Sequence, residues 1–216
     1  MLFNNRFQAA QVLAEKLQKY KKKKDTLILA IPRGALQIGA VLSKELCLPL
    51  DVVVTKKIPA PNNPELAIGA VSYGKQYILD PEAVSYSGVS NDYIQEQVDR
   101  LDGVIEKRYR DYHCGKTSFP AVKGKTVIVV DDGIATGYTM RAAIRFLQQQ
   151  KAQKIVVAVP VAARDTLKLI QQEADELICV YVPAFFGAVG QFYADFPQVE
   201  DAEAMMYLKK TKKAVN

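Results

Sequence analysis

Asp131 and Asp132 stand side by side at the end of an apolar, β-branched run, Thr126–Val130, and Gly133, Thr136, Gly137 and Thr139 follow directly. A helical pattern then starts near Tyr138. Strand, short turn, helix N-terminus is an anion-binding arrangement. The first amides of a helix lack intrahelical partners and its dipole favours negative charge by roughly 0.3–2 kcal/mol. Gly133 and Gly137 allow close backbone approach, and Thr136 and Thr139 add hydroxyl donors. Two carboxylates facing a phosphate would oppose it, so they serve another part of the ligand: a vicinal diol, or the waters of a magnesium ion. Together these groups describe a site for a ribose 5-phosphate.

Other chemistries are poorly supported. His113 is the only histidine, so a His-rich metal site is excluded, and a Ser-His-Asp triad would rest on this one residue in a polar segment. Cys47, Cys114 and Cys179 have no metal or redox spacing and read as reduced thiols. No GxGxxG follows a strand. Gly115-Lys116-Thr117 and Gly124-Lys125-Thr126 end like a P-loop but lack its first glycine.

The elements that must position this turn form a βαβ pattern. A first helix carries Phe7, Ala10, Ala14 and Leu17 behind an Asn4-Asn5 cap. Buried strands are expected at 26–31, 50–55, 126–130, 154–160 and 176–182, with helices at 35–47, 138–150 and 164–174. A helix starting at Ser90-Asn91-Asp92 and carrying Ile94, Val98, Leu101 and Ile105 reads as an outer helix covering the sheet. A homodimer built on it is the alternative. Lys56–Glu65, with three prolines and two asparagines, reads as a long loop, and 66–72 with 76–79 as a hairpin. The expected fold class is α/β, a mostly parallel sheet with helices on both faces.

The chain has 216 residues, enough for one domain over 1–216. Nine lysines at 19, 21–24, 209, 210, 212 and 213 create its basic character: removing them from a balance of +6 leaves −3. They read as solvated turn and tail residues rather than a nucleic-acid or membrane patch. No apolar run has transmembrane length and the first residues lack a signal-peptide layout, so the expectation is a soluble cytoplasmic protein.

Val129-Val130-Asp131-Asp132-Gly133-Ile134-Ala135-Thr136-Gly137-Tyr138-Thr139 resembles the phosphoribosyl-diphosphate (PRPP) signature of type I phosphoribosyltransferases. Ile31-Pro32-Arg33-Gly34-Ala35 is similar to that family's diphosphate loop. Residues 56–65 fall at its mobile catalytic loop, within a flexible region at about 56–75. Residues 183–196 fall at its C-terminal hood, expected over about 183–200. The layout, including 59–71, resembles a bacterial group whose acceptor is not established.

The resemblance implies a type I phosphoribosyltransferase fold and a Mg2+-dependent pentosyl transfer from PRPP to a nitrogenous base, releasing diphosphate through an oxocarbenium-like transition state. It implies that Asp131 and Asp132 bind the ribose hydroxyls directly or through magnesium. Gly133, Ala135, Thr136, Gly137, Tyr138 and Thr139 would bind the 5-phosphate side, largely by backbone N–H. Arg33 and Gly34 would bind the diphosphate, where family members often have an unusual peptide geometry. Lys56 or Lys57 would neutralise the leaving diphosphate, Glu65 is the candidate general base, and Phe185 and Phe186 would stack on the base. Ala135 departs from members acting on 6-oxopurines, which carry an Asp there, and matches the adenine and uracil enzymes. The rival readings are a PRPP- or nucleotide-sensing regulator of the same fold, able to touch RNA, and a hydrolase or phosphorylase of ribose phosphates.

Overall fold

The computed structural model describes residues 2–61, 63–113 and 119–214; the side chains of residues 64, 65 and 212–214 lie outside that description, as do Cys114 and Gly115-Lys116-Thr117. The elements, in order, are α1 (Arg6–Lys16), β1 (Thr26–Ala30), α2 (Ala35–Leu46), β2 (Leu50–Val52), β3 (Thr55–Ala60), β4 (Asn63–Ser72) and β5 (Gln76–Leu79). Then come α3 (Pro81–Ser87), α4 (Asn91–Tyr112), β6 (Thr126–Val130), α5 (Tyr138–Gln149), β7 (Lys154–Val161), α6 (Arg164–Glu173), β8 (Glu176–Tyr181) and α7 (Asp201–Ala214).

The apolar runs form a parallel sheet of order β2-β1-β6-β7-β8. Alternation assigns its faces. Ile28, Ala30, Ile128, Val130, Val156 and Ala158 pack with residues of α1, α2 and α7. Leu27, Leu29, Val127, Val129, Ile155 and Val157 pack with residues of α5 and α6. Both faces are covered, which is why these strands read as continuous hydrophobic runs. From β1 the chain runs outward to β2; from β6 it runs the other way to β7 and β8. The β1/β6 boundary is therefore the topological switch point, where ligands of open α/β sheets bind.

The structure corrects the reading of 56–65 as a loop. Residues 55–60 and 63–72 are antiparallel strands of a second sheet, β3-β4-β5. Pro59 is tolerated because β3 is an edge strand and its register shifts on either side of Pro59. The expected hairpin at 66–79 is present. This sheet packs between α4 and α5; Ile94 and Val98 of α4 share a core with Ile58, Ile68 and Val71.

Two helices were not anticipated. α3 is capped by Asp80, whose carboxylate accepts from Ala83 N–H at 2.9 Å. α7 converts most of the lysine tail into a helix, burying Ala204, Leu208 and Thr211. Its signal was the i, i+4, i+7 spacing of those residues, hidden by charge. No helix among the described residues is long and apolar enough to cross a membrane.

At the opposite end of the sheet from the switch point, Glu176 accepts from Tyr20 OH at 2.7 Å and pairs with Lys19 Nζ at 2.6 Å and Lys154 Nζ at 2.8 Å. Burial pushes its carboxyl up, but these partners outweigh it and hold the pKa at about 2, against an ordinary value of 4.5. A depressed carboxylate contributes stability above its unfolded pKa and loses it as pH falls through the folded one. Glu176→Gln is expected to melt about 3–6 °C lower at pH 7. In thermal melts the gap to wild type should close between pH 4.5 and about pH 2; a pH-independent gap would contradict the ion-pair account.

Candidate active site

β6 ends at Val130 and the chain turns through Asp131–Gly137 into α5. The turn is pinned to β7: Ile134 N–H donates to Val161 O and Ala163 N–H to Ile134 O, each at 2.9 Å. Thr166 Oγ1, at the start of α6, donates to Ala135 O at 2.6 Å. Gly137 has φ +77°, and a Cβ there would lie 2.4 Å from Thr166 Cγ2, so only glycine fits. Helical bonding begins with Arg141 N–H to Gly137 O at 2.9 Å. The amides just before it have no intrahelical acceptor. Thr136 and Ala135 are exposed at this point. Tyr138 turns its side chain away, donating its hydroxyl to Asp80 at the head of α3. Burial and that carboxylate push the phenol up to about 12.

The acidic pair is held from behind. Asp131 Oδ1 accepts Asp132 N–H at 2.8 Å. Asp132 Oδ2 accepts from Arg6 Nε at 2.8 Å, and the two side chains are 16% and 5% exposed. The Arg6 guanidinium lies 3.7 Å from the centroid of Phe196 and donates to Pro197 O at 2.8 Å. Tyr193 OH donates to Asp132 O at 2.6 Å. Burial pushes the Asp131 carboxyl well up, and the neighbouring Asp132 charge adds to it. Asp132 is also raised by burial, with Arg6 pulling the other way.

The loop after β1 meets the β6 loop at this pair. A Cβ on Gly34 would sit 2.2 Å from Asp132 Oδ2 and 2.8 Å from Arg6 Nε, so glycine is what lets the two loops touch. The Pro32–Arg33 peptide is cis. The sheet order thus brings Arg33, Gly34, Asp131, Asp132 and residues 133–139 into one crevice.

The remaining sequence-predicted residues are distributed differently. Lys56 and Lys57 point to opposite faces of β3. Lys56 is half-buried near Arg33, Arg108 and Asp201, and burial followed by the Arg108 charge lowers its pKa; Lys57 is exposed. Glu65 lies in β4, and its side chain is outside the described residues. Phe186 packs on Phe192 with centroids 5.2 Å apart, whereas Phe185 is 89% exposed. The hood itself is tied to the N-terminus: Phe3 N–H donates to Phe192 O at 2.9 Å and Ala194 N–H to Phe3 O at 2.8 Å. Arg6, Tyr193, Thr166 and Arg108 were missed, because each acts over a long sequence separation and none sits in a motif.

Among the described residues no group of three or more His, Cys, Asp or Glu could form a metal cage. Two adjacent carboxylates suit magnesium, which keeps waters and takes one or two carboxylates plus substrate phosphates.

The family model for the phosphoribosyl transferase domain matches residues 2–197. The chain is 33% identical over 210 residues to the Mycobacterium tuberculosis (strain H37Rv) protein Rv0571c, whose name assigns it provisionally to the phosphoribosyl transferases; the match covers 97% of this chain and 47% of that one. The chain thus spans about half the length of the curated relatives it matches. The crystal structure of TT1426 from Thermus thermophilus is similar throughout, with 35% identity, TM-score 0.80, and coverage of 97% of this chain and 99% of that one. AQ2163 from Aquifex aeolicus, at 14% identity and TM-score 0.50 over 82% of this chain and 72% of its own, shares the fold alone.

Proposed function

The chain belongs to the phosphoribosyl transferase family, and on that premise we propose that it transfers ribose 5-phosphate from PRPP to a nitrogenous base, releasing diphosphate. The observation that carries this reading is the meeting, at the β1/β6 switch point, of an open helix N-terminus, a part-buried acidic pair and an arginine-bearing loop. The N–H groups of Ala135–Thr139 receive the 5-phosphate. Asp131 accepts hydrogen bonds from the ribose hydroxyls, and Asp132, fixed by Arg6, sets the position of Asp131 and shares that role. Arg33, the Gly34 amide and Lys56 hold the diphosphate and stabilise the charge that grows on it as the anomeric bond breaks. Magnesium held by Asp131 and Asp132 would add positive charge to the leaving group. The β3–β4 hairpin, standing where a mobile loop was expected, helps exclude water from the anomeric carbon.

Ala135 offers no carboxylate beside the base, so the acceptor supplies its own nucleophilic nitrogen without an acid or base at that position. Phe185 is available to stack on it, whereas Phe186 supports the hood. The test is a screen of nucleobases and related amines with PRPP and Mg2+, following diphosphate release. Turnover with one acceptor, abolished in Asp131→Asn/Asp132→Asn, is expected. A double variant that binds PRPP as tightly as wild type would sink the site assignment, and donor consumption without any acceptor would favour a hydrolase.

A further inference from the structure

Three cationic side chains from three elements meet at the outer edge of the β1 loop: Arg33, Lys56 of β3 and Arg108 near the end of α4. Arg33 Nη1 lies 3.8 Å from Asp201 Oδ2 and 3.5 Å from Glu200 Oε2. Arg108 Nη2 lies 3.6 Å from Asp201 Oδ1. One carboxylate therefore spans two guanidiniums, one per oxygen. The arginine side chains are 23% and 25% exposed, but those of Glu200 and Asp201 are 73% and 55% exposed. The cations are built in and the anions are peripheral. Lys56 registers this crowding: after burial, the Arg108 charge does most to lower its pKa, and Arg33 adds to it. Alongside, the Tyr112 hydroxyl is buried with no hydrogen-bond partner among the described residues. A cavity of about 240 Å³ opens there, lined by Arg108, Asp111, Tyr112, Asp201 and Met205. Asp111 is exposed on its rim.

A partly dry cluster of cations with an orphan hydroxyl donor suits a polyanion carrying oxygens on two centres. We propose that Arg108 completes a diphosphate subsite with Arg33 and Lys56, and that Glu200 and Asp201 act as an internal competitor for it. The proposal rests on the transferase reading above and adds both a residue and a control to it. Tyr112 donates its hydroxyl to a phosphate oxygen. The competing carboxylates come from the head of α7, beyond residue 197 where the family match ends. The brake is therefore carried outside the matched domain. Donor binding must displace it, which sets the affinity of the site below what its arginines alone would give.

Titration calorimetry of the whole chain at fixed Mg2+, with inorganic diphosphate and ribose 5-phosphate as separate probes, tests this. Arg108→Ala should weaken diphosphate about tenfold or more and leave ribose 5-phosphate unchanged. Glu200→Gln/Asp201→Asn should tighten diphosphate about three- to tenfold. The opposite signs matter, because both variants break the Arg108–Asp201 pair. If that pair only held α7 in place, both would weaken binding, and the proposal would be overturned. Unchanged diphosphate affinity in Arg108→Ala would overturn it too. If wild type fails to bind ribose 5-phosphate while diphosphate follows the expected pattern, the subsite stands and the transferase reading falls.

Discussion

Arg6→Met is expected to lower stability by about 3–5 kcal/mol and to abolish measurable PRPP binding. The Arg6 side chain is 5% exposed, and its guanidinium joins three parts of the site: Asp132 through Nε, the hood backbone through Pro197 O, and the Phe196 ring face. Methionine fills similar volume, so little of the loss comes from a cavity. Most comes from leaving the part-buried Asp132 without its counter-charge. Burial already raises that carboxyl despite Arg6, and removing Arg6 raises it further. Denaturant titration measures the cost. The same substitution in an Asp132→Asn background should cost much less, since the two residues act as a pair. Equal costs in both backgrounds would show that Arg6 matters only through packing. Arg6→Lys should fall between, keeping the charge but losing the planar stack.

The second large effect runs in two directions. Asp131→Asn should weaken PRPP by about 10- to 150-fold, the loss of one or two hydrogen bonds to a charged group. In metal-free buffer at pH 7 it should melt higher than wild type. The reason is that wild-type Asp131 is part-buried and adjacent to a second carboxylate, so its ionised form is disfavoured in the folded chain. Asparagine keeps the shape and the acceptor for Asp132 N–H while removing the ionisable group. A variant that binds weakly and melts lower would mean that the carboxylate serves the fold, not the donor.

The central sheet was legible because every strand covered on both faces must be apolar throughout, as in Val127–Val130 and Ile155–Val159. The β6 loop was legible because its chemistry is local: carboxylates, glycines and threonines lie within one turn and one helix start. Residues 55–65 were not, because prolines argue against strands only where both edges must pair, and β3 has one free edge. The α7 helix was masked by lysines on its exposed side. Arg6 had no local signature at all. Its partners lie 126 and 191 residues away, and a single arginine in a first helical turn predicts neither. The site's anchor was therefore invisible for the same reason that its anion loop was plain.

The Arg6–Pro197 contact also sets a timetable. Arg6 is translated first, and its acceptor Pro197 follows 191 residues later, with Phe192 and Phe196 just ahead of it. At about 5–20 residues per second, that interval is roughly 10–40 s. Throughout it, α1 carries an arginine whose stacking ring and carbonyl acceptor do not yet exist. The β1/β6 crevice thus gains its acidic pair before its hood, and Arg6, on a helix made ahead of the whole central sheet, is among the last side chains to be locked.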